Sequence, residues 1–270
     1  MNMRRYRGFL VPRLFNEASA HSDEAAERFY QGAVSAIRRI LGLMRIEVTV
    51  VGADNIPATG GALLAGNHTG YMDFALMGTG PHVRGNRLVR FMAKKSVFEV
   101  PLLGRILRKM HHVPVDRAKG AASISSAVEN LRNGNLVGIF PEATISRSFE
   151  LAHFKTGAVR IAREADVPLI PTVIWGSQRI WTKDLPKQLR GVPVIIRYGE
   201  PVPLTGDAEA DTAELKRRMQ QLLDLSQAEY SERYGPFGAE PWLPKSMGGT
   251  APTIEEAEEL YRAEKERRQK

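Results

Sequence analysis

Apolar positions along the chain switch between a helical and a strand period. From Asp23 to Arg45, Phe29, Ala33, Ile37, Ile40, Leu41 and Met44 recur mainly at spacings of three and four, which predicts a helix with one apolar face. The run "HSDEAAE" ahead of it offers Ser22 as a cap with acids in the first turn. "EVTVVG" (47–52) alternates as a strand, and "GALLAG" (61–66) reads as a second, buried one. A helix is expected over 72–79, a strand over 88–94 and a short extended piece over 111–117. A helix over 121–134 stops at Asn133-Gly134. A strand over 135–142, a helix over 155–166, strands over 167–175 and 192–202 and a helix over 212–230 complete the series. This alternation predicts an α/β fold: a mixed, largely parallel β-sheet flanked by helices on both faces, with an N-terminal amphipathic helical element. Three regions follow: an amphipathic segment 1–46, an α/β domain 47–234, and a Gly/Pro-rich connector with an exposed charged helix over 235–270.

With 43% hydrophobic and 25% charged residues in 270, the chain can bury a full core. It has no cysteine, so thiolate metal sites and disulfides are excluded, and no H-E-x-x-H pattern links its six histidines. No apolar run approaches the ~18 residues a spanning helix needs, and no signal peptide is visible. The expected placement is therefore peripheral, on the cytoplasmic face of the cell membrane. The net charge of +8 is unevenly placed: residues 84–119 hold ten Lys/Arg against two acids. That stretch is either a solvated basic face or a surface for an anionic membrane or a phosphorylated substrate; without a nucleic-acid-binding signature, nucleic acid is not expected. At the N-terminus, Arg4, Arg5, Arg7 and Arg13 surround Tyr6, Phe9, Leu10, Leu14 and Phe15. The segment either packs into the core or rests as a basic amphipathic element on anionic lipid.

Chemistry concentrates in "GNHTGYMDF" (66–74), which places His68 and Asp73 five positions apart. On a continuous helix they would diverge by about 140°, since each residue advances about 100°. A strand-to-helix turn through Thr69 and Gly70 removes that objection and lets the carboxylate fix the imidazole tautomer. With no G-x-S-x-G elbow and no thiol, the nucleophile has to come from the substrate, such as an alcohol whose proton His68 removes.

Four segments, "NHTGYMD", "HHVPVDR", "FPEATIS" and "VPLIPTVI", stand in this order over roughly residues 47–205. The set resembles the four blocks of the glycerolipid acyltransferases, most closely the bacterial 1-acyl-sn-glycerol-3-phosphate acyltransferases. That resemblance implies that His68 is the general base and Asp73 its orienting partner, and that the glycerol hydroxyl attacks the thioester of an acyl-CoA or acyl-carrier protein. It implies no metal and no tightly bound cofactor, the acyl carrier being a co-substrate. Arg117 resembles the clamp for the acceptor's phosphate, and Lys94, with Lys95 as its rival, a second phosphate contact. Glu142 and Thr144 match the third block and Lys155 a further recurrent position. The implied partners are a lysophospholipid acceptor, the acyl carrier and an anionic phospholipid membrane surface. The fourth block is expected to be core or to shape the acyl channel.

The third block departs from its usual F-P-E-G-T-R-S: Ala143 replaces the glycine and Ile145 the arginine. One expected phosphate contact is thus missing, and Arg147 or Lys155 is a candidate to replace it. Alternatively the acceptor is glycerol 3-phosphate, another lysophospholipid or a glycolipid. Two other readings stay open: a thioesterase that uses the dyad on water, and a non-catalytic membrane-binding protein of the same fold.

Overall fold

A computed structural model describes residues 2–116 and 120–267. The strands are β1 (Met3–Tyr6), β2 (Phe9–Pro12), β3 (Glu47–Val51), β4 (Ala62–Gly66), β5 (Val89–Lys94), β6 (Val113–Val115), β7 (Leu136–Ile139), β8 (Leu169–Trp175) and β9 (Pro193–Tyr198). They form one sheet in the order β1-β2-β3-β9-β8-β4-β7-β5-β6. Only the β1–β2 and β8–β9 pairs are antiparallel, so the sheet is mixed and largely parallel, as the sequence predicts.

The helices are α1 (Ser22–Ala26), α2 (Arg28–Leu43), α3 (Asp73–Met77), α4 (Thr79–Val83), α5 (Lys95–Phe98), α6 (Pro101–Lys109), α7 (Gly120–Arg132), α8 (Gly157–Ala165), α9 (Ser177–Ile180), α10 (Ala208–Tyr234) and α11 (Ile254–Arg267). They cover both faces of the sheet, and strand periodicity shows how. In β4, Leu63 and Ala65 join a core with α7, α8 and α10, whereas Ala62 and Leu64 join the opposite core with α2 and α3. A central parallel strand is buried on both faces, which is why "ALLAG" is apolar throughout.

The N-terminal segment carries the expected helical element as α1 and α2 but opens on strands. Its first residues form the β1–β2 hairpin, and β2 extends the sheet by pairing with β3. Val11 and Phe9 are buried in the core, while Arg4 is half-buried and Arg5 exposed. The helix predicted over 23–45 is present as α1 and α2, but Ser22 does not cap it. Its hydroxyl instead donates to Asp23, and the N-cap position is His21. Phe29, Ile40 and Leu43 of α2 point outward, the last being 77% exposed.

The basic stretch also resolves into distinct roles. Arg87 is buried against Glu24 (2.9 Å) and donates to the carbonyls of Pro57, Gly60 and Gly134. Arg90 pairs with Glu27, and Arg84 donates to Asn16 and Ile56 carbonyls. These three arginines fasten α1 and the surrounding loops to the sheet and are not a lipid-facing surface. The Arg87 guanidinium tolerates full burial because Nε and both terminal nitrogens find acceptors.

Among the described residues, no helix is long and apolar enough to cross a membrane. The connector after α10 is ordered, with Trp242, Leu243 and Ala251 buried, and α11 carries no buried residue.

Candidate active site

The carboxyl ends of β4, β7 and β5 lie level, because Ala65 pairs with Ile139 and Phe91 with Gly138. The chain leaves these strands at His68, Phe140 and Lys94, so the first and third blocks and the lysine meet at one sheet edge. In α/β sheets, ligands bind at that edge.

His68 follows β4 and Asp73 opens α3, with Thr69 and Gly70 in the turn between them. His68 Nδ1 lies 2.9 Å from Asp73 Oδ2. The same carboxylate oxygen accepts the backbone N–H groups of Thr69 and Gly70, both at 2.7 Å. Oδ1 accepts the Ser177 hydroxyl at 2.5 Å. Asp73 is fully buried, and this set of donors is what makes a buried carboxylate tenable. It also folds the turn that carries the imidazole. With Nδ1 facing a carboxylate, Nδ1 holds the proton and Nε2 is left with its lone pair, the form a general base needs. Nε2 makes no hydrogen bond among the described residues, and the side chain is 22% exposed. The ring stacks on Phe140, centroids 4.3 Å apart and planes within 19°.

The third block holds His68 by its backbone. His68 N–H donates to Glu142 Oε1 (2.9 Å), and the His68 carbonyl accepts from Ser146 N–H (2.8 Å). Glu142 Oε2 accepts Ala152 N–H (3.0 Å). Both oxygens of Glu142 are therefore spent on the frame, and its position next to His68 is that of a clamp on the loop. Burial pushes its carboxyl up to about 7, against the lowering effect of the two N–H donors. Asn67, also buried, exchanges two hydrogen bonds with the Ile174 backbone and ties the end of β4 to β8.

Ala143 adopts φ +57°, a left-handed conformation that glycine takes without strain, so the backbone here has the shape that the usual glycine of this block serves. Ile145 is buried and Thr144 is half-buried. Arg147 does not stand open to a ligand: it pairs with Asp184 (2.5 Å) and with Glu264 of α11 (2.9 Å). Lys155 is exposed, and its backbone N–H donates to Pro141. Lys94 is exposed at the end of β5, whereas Lys95 faces Asp116 at 3.5 Å. Arg117 lies outside the described residues. The fourth block enters β8 at Leu169 and is buried from there on, after a half-buried Val167 and an exposed Pro168, so its strand part is core.

Ser177 was not singled out by sequence reasoning. It is 104 residues from the carboxylate it supports, and only the "GS" after an apolar strand hints at a turn there. Among the described residues no group of three or more His, Asp or Glu is arranged to hold a metal ion.

The Acyltransferase family model matches residues 47–175, the interval from β3 to the end of β8. The 1-acyl-sn-glycerol-3-phosphate acyltransferase of Bacillus subtilis (strain 168) is 33% identical over 199 residues, 72% of this chain and 96% of that protein. That of Limnanthes douglasii is 36% identical over 116 residues, 41% of each chain. The solved 1-acyl-sn-glycerophosphate (LPA) acyltransferase of Thermotoga maritima shares the fold, with a TM-score of 0.57 and 24% identity, covering 74% of this chain and 82% of that one. Residues matching at this extent, carried on a sheet whose edge assembles the His68–Asp73 pair, show that the chain belongs to the glycerolipid acyltransferase family and is an O-acyltransferase.

Proposed function

We propose that this enzyme transfers a fatty acyl group from acyl-CoA or acyl-carrier protein to the free hydroxyl of 1-acyl-sn-glycerol 3-phosphate, giving phosphatidic acid for phospholipid synthesis. The observation that carries the reading is the His68–Asp73 bond, which leaves one imidazole nitrogen unpartnered at the ligand-binding edge of the sheet. His68 takes the hydroxyl proton as the oxygen attacks the thioester carbon. The C–S bond then breaks, and the proton passes to the departing thiolate. Asp73 stabilises the imidazolium formed in between. Lys94, Lys155 and Arg117 supply positive charge for the anionic head groups; Thr144 sits two positions after Glu142, and Glu142 serves by holding His68 in place.

A narrow apolar cleft of about 50 Å³ lies between α2 and the sheet, lined by Tyr30, Ile37, Leu41, Phe74 and Phe91 among others. Phe74 follows Asp73 directly. Phe91 stacks on Phe140, and Phe140 on His68. A fatty acyl chain fits the chemistry of this lining.

The outward residues of α2 and α6 support a membrane-surface role. Leu102 and Leu103 are 71% and 41% exposed, and Lys109 Nζ sits 4.3 Å above the Phe29 ring, so apolar and cationic groups of the two helices adjoin. Such a surface suits an anionic leaflet.

Buried Ile145 favours a second reading, the same chemistry on a different acceptor. An acceptor panel with one acyl-CoA and one acyl-carrier protein separates the two. The first reading predicts highest kcat/KM with 1-acylglycerol 3-phosphate. Preference for glycerol 3-phosphate, a choline or ethanolamine lysolipid or a glycolipid would replace it.

A further inference from the structure

Arg147 and Lys183 come from different loops, and each loop is bonded to the segment that carries His68. Ser146 N–H donates to the His68 carbonyl (2.8 Å), and the Thr182 hydroxyl donates to the Thr69 carbonyl (2.5 Å). The two cationic side chains are only 11% and 13% exposed, and both reach one atom, Glu264 Oε2, at 2.9 Å each. A guanidinium and an ammonium converging on a single anionic oxygen form the arrangement that receives a phosphomonoester.

Glu264 belongs to α11. That helix turns Ile254, Ala257, Tyr261 and Glu264 toward the protein, spaced three, four and three, and every one of them is only half-buried. The Lys183 ammonium also lies 5.9 Å from the Tyr261 ring centroid. With no buried side chain, α11 is seated largely by charge. An element with no buried side chain has little apolar burial to hold it, and elements of this kind open first. The same site answers the gap in the third block, where buried Ile145 leaves no guanidinium and Arg147 stands two positions on.

We propose that Arg147 and Lys183 form the subsite for the acceptor's phosphomonoester, and that Glu264 occupies it in the unliganded chain until the acceptor displaces α11. The proposal rests on the acyltransferase reading above and adds to it a second cation and a built-in competitor. A phosphate carries up to two charges and three terminal oxygens, so it outcompetes the Glu264 carboxylate for the pair while Asp184 stays on Arg147 Nε. The displaced Glu264 returns when product leaves.

The test uses the full-length chain and amide hydrogen exchange over residues 254–267. Three probes are compared: inorganic phosphate, 1-acylglycerol 3-phosphate and the unphosphorylated monoacylglycerol. Exchange in α11 should accelerate with the first two and stay unchanged with the third. Acceleration by monoacylglycerol as well would assign the effect to the acyl chain and overturn the subsite. In thermal-shift titrations, Glu264→Gln should tighten inorganic phosphate about fivefold, the worth of a modest ion pair, and Lys183→Gln should weaken it by a similar factor. Phosphate affinity unmoved by both variants overturns the proposal. If both variants shift phosphate affinity but no phosphorylated acceptor is acylated, the subsite stands and the enzyme reading falls. If 1-acylglycerol 3-phosphate is acylated and Lys183→Gln leaves its KM unchanged, the subsite falls alone.

Discussion

At the residue scale, the account turns on how differently the two members of the dyad are embedded. Removing the His68 imidazole leaves Asp73 with three other donors, Thr69 N–H, Gly70 N–H and the Ser177 hydroxyl, so the loop keeps its frame. His68→Ala should therefore lower turnover by at least several hundredfold, within the roughly 10²–10⁴ that general-base catalysis contributes, while the unfolding transition barely moves. Asp73→Asn is a different lesion. A correctly oriented carboxamide oxygen can satisfy only part of the donor set, and its NH₂ would face another donor. We expect loss of activity and a lowered unfolding midpoint together, read by paired kinetics and thermal melts. The sequence disclosed His68 and Asp73 because a five-residue spacing across a glycine turn is local. It could not disclose Ser177, Asn67 or the clamp formed by Glu142, since those partners join only when β4, β7 and β8 align. Glu142 was legible as a site residue through the third block, but its use of both oxygens on backbone N–H groups was not.

At the scale of elements, the strands most readable in one dimension were the most buried. "ALLAG", "LVGI" and "LIPTVIW" are apolar on both faces because helices cover both sides of the sheet. The β1–β2 hairpin was missed because two four-residue strands, with Arg4 and Arg5 in the first and Arg7 in the turn, look like a basic amphipathic segment until β3 supplies a pairing edge. Helices α5 and α6 were hidden inside a stretch read for its charge. One close approach gives a sharp test of how the elements fit. Gly80 in α4 lies against Tyr198 of β9, where an added Cβ would meet ring carbons at 2.3 Å. The Tyr198 hydroxyl accepts from Gly80 N–H (3.0 Å) and donates to the Met77 carbonyl (2.6 Å). Gly80→Ala should reduce the unfolding free energy by about 1–3 kcal/mol, because the buried ring has to shift and break this pair of bonds. A denaturant melt equal to that of the wild type would show that α4 and β9 are not in contact as described.

At the scale of the whole molecule, burial makes stability depend on pH. His82 and His112 are both buried, and burial, reinforced by Arg38 and Arg7 for the first and by Arg90 for the second, lowers each imidazole from 6.5 to about 4. The folded chain keeps them neutral while the unfolded chain protonates below 6.5. Their stabilisation is complete above 6.5 and is lost as the pH falls toward 4, by about 3 kcal/mol for each histidine. Glu142 acts in the opposite sense: its contribution is full below 4.5 and is lost as the pH rises to about 7. A His82→Gln, His112→Gln double variant should thus show a markedly flatter loss of unfolding free energy between pH 6.5 and 4. An unchanged slope would mean that neither imidazole is buried neutral. The molecule's overall charge of +8 conveyed less than it promised, since Arg84, Arg87 and Arg90 are consumed by internal carbonyls and carboxylates. Among the described residues of the basic stretch, Lys94, Lys95 and the cations of α6 remain outward, the last beside exposed Leu102 and Leu103.

The most direct measurement is thiol release from acyl-CoA by the purified chain, followed with and without 1-acylglycerol 3-phosphate, alongside phosphatidic acid formed. An acyl transfer driven by His68 predicts thiol release that requires the acceptor, matches phosphatidic acid mole for mole and collapses in His68→Ala. Thiol released at the same rate without acceptor, or at wild-type rate in His68→Ala, would contradict it.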